Sequence, residues 1–147
     1  MFSLKKQIAI AFVYFTIAAF FGVVLRLFVV VDIPINYKFF VHTHSHIALL
    51  GWVYVAITTL LYAAYFRKQQ ISNIYKSLFV FTQVTLIGML LTFPFQGYAL
   101  FSIIFSTLFL FASYWFTWFF IKNAAKHHKK LASFKVIKIA LLYLVIS

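Results

Sequence analysis

The chain has no cysteine. That excludes disulfides, thiolate metal sites, iron–sulfur clusters and haem attached through Cys-x-x-Cys-His. Among 147 residues there is one acid, Asp32, so hydrolysis by a pair of carboxylates is excluded as well. Polar surface is also scarce. A composition 65% apolar and 22% aromatic, with a mean hydropathy of +1.03, leaves almost nothing to cover a water-facing exterior. This is the composition of a membrane protein. The chemistry that remains is that of histidine, arginine, tyrosine and the backbone.

In lipid every backbone donor and acceptor has to be satisfied within its own segment, so spans are sought as apolar helices of roughly 20 residues, enough to cross about 30 Å of hydrocarbon. Four such stretches run from about residue 8 to 31, 44 to 66, 77 to 93 and 98 to 121. A fifth, from about 131 to 147, carries Lys135 and Lys138 early and is purely apolar only over Ile139 to Ile146. It is too short to span. A hydrophobic run that stops without a flanking basic anchor is the pattern of the N-terminal part of a longer chain. The expected fold is therefore all-α, a single polytopic transmembrane bundle over residues 1 to 147 with four complete spans and an incomplete fifth. Lys5 and Lys6 ahead of the first stretch resemble a signal peptide, but no small-x-small cleavage site ends it, so it reads as a retained span. No internal repeat or long polar linker argues for a second domain.

Thirteen Lys and Arg against one acid give a net charge of +12. In a soluble chain this would suggest nucleic acid; here it reports topology. Lys5, Lys6, Arg67, Lys68, Lys76, Lys122, Lys126, Lys129, Lys130, Lys135 and Lys138 fall on one side of the expected spans, and only Arg26 and Lys38 on or near the other. Because cytoplasmic loops are enriched in Lys and Arg, the expected N-terminus is inside, with Asp32 to Thr43 and the Pro94-Phe95-Gln96-Gly97 turn outside. Nucleic acid would want a continuous basic patch on one surface and is not expected as a partner.

Chemistry concentrates in Val41-His42-Thr43-His44-Ser45-His46-Ile47-Ala48-Leu49-Leu50-Gly51-Trp52, at the outer end of the second span, which holds three of the five histidines. Ionisable groups at membrane depth are costly and face the bundle interior or a functional site. At about 100° per residue, His44 shares a face with Ala48, Gly51, Val55, Thr58 and Tyr62, a mostly small or polar line suited to close approach of a helix or a flat cofactor. His42 and His46 share the other face with Leu49, Leu50, Val53, Ile57 and Leu60, facing lipid or bulky neighbours. His44 is thus the first candidate for a buried ligand and His46 the second; His42 is an interfacial residue or a partner of His46 at i, i+4. Arg26, about one and a half turns from the outer end of the first span, has Ala19 and Gly22 on its face. It is read either as snorkelling to the interface or as pairing with an anionic group of a cofactor.

These residues resemble a known family. Gly22-x-x-x-Arg26, a short outer loop, and a histidine opening helix two ahead of Ala48-x-x-Gly51-Trp52 are similar to the start of subunit I of haem–copper oxidases and the related nitric oxide reductases. The run His44 to Trp52 is most similar to small or diverged bacterial members, and Pro94-Phe95-Gln96-Gly97-Tyr98 resembles one such branch. The likeness covers about helices one to four. It implies that His44, failing which His46 or His42, supplies one axial nitrogen to a haem for electron transfer, that Arg26 lies near that haem, and that the protein sits in a bacterial inner membrane. The family's remaining haem and copper ligands lie on later helices. The chain alone is therefore not a complete oxidase, and the second ligand would come from further helices of a longer chain or from another membrane subunit.

Two other readings stand beside this one. A histidine cluster without thiol or carboxylate suits copper or zinc, bound through His42, His44 and His46 in a non-catalytic membrane protein. A scaffold homologue without cofactor is the third. Elsewhere, His127 and His128 read as part of a solvated basic loop that meets anionic headgroups. Ser102, Ser106, Ser113 and Thr117 read as a packing seam rather than a proton path, and Gln83 as one interhelical hydrogen bond. Trp52, Trp115 and Trp118 read as belt and lipid-facing residues.

Overall fold

The computed structural model describes residues 3–66, 73–124 and 131–146, and all regular structure among them is helical. Five helices follow one another: α1 (Leu4–Leu27), α2 (Tyr37–Phe66), α3 (Asn73–Gln96), α4 (Leu100–Asn123) and α5 (Ala132–Ile146). The first four are long and apolar enough to cross a membrane. At 1.5 Å per residue the 15 residues of α5 reach about 22 Å, short of the hydrocarbon thickness. Arg67, Lys68, Lys126, His127, His128, Lys129 and Lys130 lie outside the described residues, so the basic-loop reading of the two histidines is not addressed.

Local chemistry moves several boundaries from where hydropathy puts them. Ser3 caps α1, accepting from the Lys6 amide at 3.3 Å. The helix ends at Leu27, and Phe28 to Val31 continue only as turns, with Val29 and Val30 left exposed. The second helix starts at Tyr37 rather than near His44, because Asn36 accepts from the Lys38 amide at 3.1 Å and opens it two turns earlier. All three histidines are thereby inside a helix. The third helix runs through Pro94 to Gln96. A proline in a last turn forfeits a single backbone bond, and the Gly97 amide closes the turn on Phe93 O at 3.0 Å. The turn between α3 and α4 is consequently Gly97 to Ala99, and Ser102 caps α4 by accepting from the Ala99 amide at 2.9 Å.

Packing is in chain order: α1 on α2, α2 on α3, α3 on α4, α4 on α5. Rings of α2 also reach α4, with Tyr54 against Phe109 and Phe66 against Phe119. The buried stripe of α1, Gln7, Ala11, Tyr14, Ala18 and Phe21, repeats at four and three. Small residues bring backbones close: a Cβ on Gly51 would press into the Tyr14 ring, and one on Gly88 into Phe105. The proposed seam on α4 is confirmed as packing, since Ser102, Ser113 and Thr117 are buried. Their hydroxyls, with that of Ser106, donate to carbonyls of the same helix or its cap and form no connected chain. Gln83 departs from expectation. Neither its Oε1 nor its Nε2 has a partner, so no interhelical bond accounts for it.

The two ends of the bundle are chemically different. One joins Gln7, Tyr65, Tyr75, Phe120 and Phe134, through the Tyr75 Oη to Gln7 Oε1 bond at 2.7 Å and the Phe120–Phe134 stack. The other joins Phe21 to Phe40 and His42 to Tyr98. Of the described basic residues, Lys5, Lys6, Lys76, Lys122, Lys135 and Lys138 belong to helix ends at the first, and Arg26 and Lys38 to helix ends at the second.

Gly97 carries the turn into α4 with φ of +58°, and the Phe39 ring lies where a Cβ would go. Gly97→Ala should therefore cost about 1–2 kcal/mol for the left-handed backbone alone, with ring displacement adding to it. Thermal unfolding in detergent reads this as a lower Tm, and Gly97→Asn should recover part of the loss.

Candidate functional site

Residues Ile47–Tyr54 of α2 form a π-helical segment, flanked by α-helix on both sides. Its wider turns change which residues share a face. Thr43, Ile47, Gly51, Val55 and Thr59 are all buried at a strict spacing of four. In a 3.6-residue helix each such step rotates about 40°, so four steps would carry the line most of the way to the opposite face. The π turns keep it inward. Such segments are rare and recur at functional sites.

The histidines flank this line on its two sides, at the end of the bundle remote from all the described lysines but Lys38. His44 faces α1. Its Nδ1 lies 2.9 Å from Ala18 O, and its Cε1 edge rests on Gly22, where a Cβ would come within 3.2 Å. A carbonyl only accepts, so Nδ1 carries the proton and the neutral ring keeps its lone pair on Nε2. The face expected for His44 is borne out further down: Gly51, Val55 and Thr58 are buried, and Ala48 and Tyr62 are packed against the core. The ring itself is half-buried.

His46 faces α3 and the turn that follows it. It packs 4.5 Å from the Phe93 ring and 5.9 Å from Tyr98, and its Nδ1 donates to His42 O at 2.8 Å. His42 sits edge-on to Tyr98, ring centres 4.5 Å apart. His46 thus meets the backbone of His42 rather than its ring, and Nε2 is again the nitrogen left without a proton. Both rings are half-buried among aromatic neighbours, whereas Leu49, Ile57 and Leu60 of the same expected face are exposed.

No group of three or more metal-ligating side chains comes together among the described residues. The reason is geometric: His44 turns to α1, and His42 and His46 turn to α3. Arg26 is exposed, one turn beyond Gly22, and makes no side-chain hydrogen bond or ion pair among the described residues. Ala19, on the same helical face, is exposed too. None of the cavities described is lined by a histidine. Trp52 is not a free belt residue. It packs on Phe12 and Phe15 of α1 at 5.4 and 5.1 Å, beside the α1–α2 seam that holds His44.

Hydropathy and spacing miss two functional candidates near mid-membrane, Tyr54 and Gln83. Tyr54 closes the π segment, is 9% exposed, and its hydroxyl has no partner. A tyrosine in an aromatic-rich helix carries no sequence signal of its own. The useful signal was the lone amide of Gln83 in an apolar span.

The His44–Ala18 bond joins two helices, and interhelical bonds of this kind are worth about 0.6–1.7 kcal/mol in membranes. His44→Leu should lose about that much, whereas Arg26→Gln, on an exposed side chain, should stay within about 0.5 kcal/mol. Thermal unfolding of the two variants side by side in one detergent checks the difference.

In comparison with known proteins, the chain matches no family model, no curated protein and no solved structure.

Proposed function

We propose that this multi-pass membrane protein binds haem at its lysine-poor end, with His44 Nε2 as the axial nitrogen from this chain, and serves electron transfer. One observation supports the choice of His44 over its neighbours: its Nδ1 bond to Ala18 O, 2.9 Å long and made to a different helix. Ligating histidines characteristically donate the other ring N–H to a carbonyl, which fixes the tautomer and raises the basicity of the free nitrogen. Gly22 contributes by lacking a side chain beside the ring edge. The group, when bound, supplies one-electron redox chemistry. This chain's residues hold and orient the imidazole, Ala18 through its carbonyl and Gly22 by leaving room at the ring edge. Any further donor to the haem would come from residues outside the five described helices or from another membrane subunit.

The same reading puts the N-terminus and the lysine-rich end in the cytoplasm of a bacterial cell, with His42, His44 and His46 towards the outer leaflet. It rests on the bias of the described lysines to one end of the bundle, with only Lys38 at the other.

A second reading is favoured by a specific observation. The His44 ring already has a carbonyl partner and a glycine bed. In that reading the histidine clamps α1 to α2 in a scaffold without cofactor. Copper or zinc held by all three rings is not favoured, because they face opposite sides of α2.

Visible absorption of protein purified in detergent tests the haem reading. A reduced-state haem band is expected that disappears in His44→Ala and persists in His46→Ala. A colourless protein that stays colourless when supplied with haem overturns the reading and leaves the clamp. Topology is tested separately, since the cysteine-free sequence gives a blank background for labelling. Lys38→Cys should react with a membrane-impermeant thiol reagent from outside intact cells, and Lys76→Cys only after lysis; the reverse pattern inverts the orientation.

A further inference from the structure

We infer that a small internal chamber between α2, α3 and α4, close to mid-membrane, is a binding site for one water molecule that links Tyr54 to Gln83. The chamber is lined by Tyr54, Thr58, Tyr75, Thr82 and Gln83 on its polar side, the Tyr75 hydroxyl being already engaged with Gln7, and by Leu78 and Phe116 among its apolar walls. About 10 Å³ of it is open to the centre of a water molecule, which is the least that holds one and too little for any larger ligand.

Two independent features point to an occupant. Tyr54 Oη is buried without a partner within the protein, and so are both amide atoms of Gln83. A buried water needs two to four polar partners, and this chamber supplies them in complementary kinds. Tyr54 O–H and the Gln83 amide N–H donate. Gln83 Oε1 accepts. Thr58 and Thr82 have already given their protons to Tyr54 O and Leu78 O, at 2.8 and 2.9 Å, so each hydroxyl oxygen retains lone pairs for an incoming proton. A single water can therefore accept from the tyrosine and donate to the glutamine, with its other proton going to a threonine.

The backbone is arranged for this. The π segment ends at Tyr54 and Thr58 bonds back to its carbonyl, so the helical irregularity and the water site meet at one residue. Phe109 and Phe116 hold the Tyr54 ring from α4, with ring centres at 5.0 and 6.2 Å. The water completes a polar junction among three helices that have only apolar or intrahelical contacts around it.

The sign of one stability change tests the site. If water links the two groups, Gln83→Leu removes a satisfied partner, and both it and Tyr54→Phe lower Tm by several degrees, with the double variant losing less than the sum. If the chamber is dry, Gln83→Leu takes two unpaired polar atoms out of an apolar setting, raises Tm and overturns the inference. Infrared spectroscopy of the folded protein supplies a readout independent of stability. An O–H stretching band of a confined water, displaced by H2(18)O and lost in both single variants, is expected. No isotope-sensitive band that depends on Tyr54 and Gln83 overturns the site.

Discussion

Every polar group in this bundle has to find a partner without the help of bulk water. That constraint explains the form of the structure more than any single contact. It forces the backbone into helices. It also explains why most buried hydroxyls behave alike: Thr58, Thr82, Thr85, Ser113 and Thr117 all donate to a carbonyl three or four residues back, with Thr59 the exception. Hydroxyls satisfied in this way cost little to bury and let helices approach closely. The histidines obey the same rule. Each of His44 and His46 gives its Nδ1 proton to a carbonyl, His44 across to α1 and His46 back along its own helix.

The difference between those two bonds gives His44 its standing. A bond within one helix satisfies the ring and does nothing else. A bond to a second helix fixes where the ring sits relative to the rest of the bundle, and so fixes where Nε2 points. The π segment directly below makes the arrangement possible, because it holds Thr43, Ile47, Gly51, Val55 and Thr59 on one buried line and places the histidines on either shoulder of it. In a regular helix the same residues would spiral away from the core. Gly51 against Tyr14 and Trp52 between Phe12 and Phe15 then hold α1 firmly along the seam on which the His44 bond depends.

Most of the fold was legible in the sequence because hydropathy measures the requirement that lipid imposes. Four spans and a short fifth followed from it, and the segregation of lysines marked the two ends. Boundaries were less legible. The entry to α2 was missed because Asn36 and the aromatic pair Phe39 and Phe40 lie outside the strongly apolar run, yet cap and anchor the helix. The π segment was invisible, since no residue type announces it, and it shifted the faces assumed from a 3.6-residue period. The side of His44 was nonetheless read correctly, because the residue lies before the irregular turns. Arg26, read either as snorkelling or as pairing with a cofactor, is exposed, which agrees with the first of these. Spacing along one helix says nothing of how far a partner helix extends beside it.

Tyr54 and Gln83, which with Thr59 and Gln96 carry the buried polar atoms without a partner, separate cost from purpose. An unsatisfied buried polar group costs about 1–3 kcal/mol, and three such atoms in one chamber would be a large share of the marginal stability of a small bundle. A leucine at 83 would remove that cost with nearly the same volume. A chain whose buried hydroxyls, Thr59 apart, bond to nearby carbonyls has little reason to carry an idle amide at mid-membrane. The economical account is that the amide is not idle. A bound water turns the deficit into a junction of α2, α3 and α4, at the depth where the π segment ends and below the seam that orients His44. The position of the imidazole and the hydration of the core then depend on the same irregular turns of one helix.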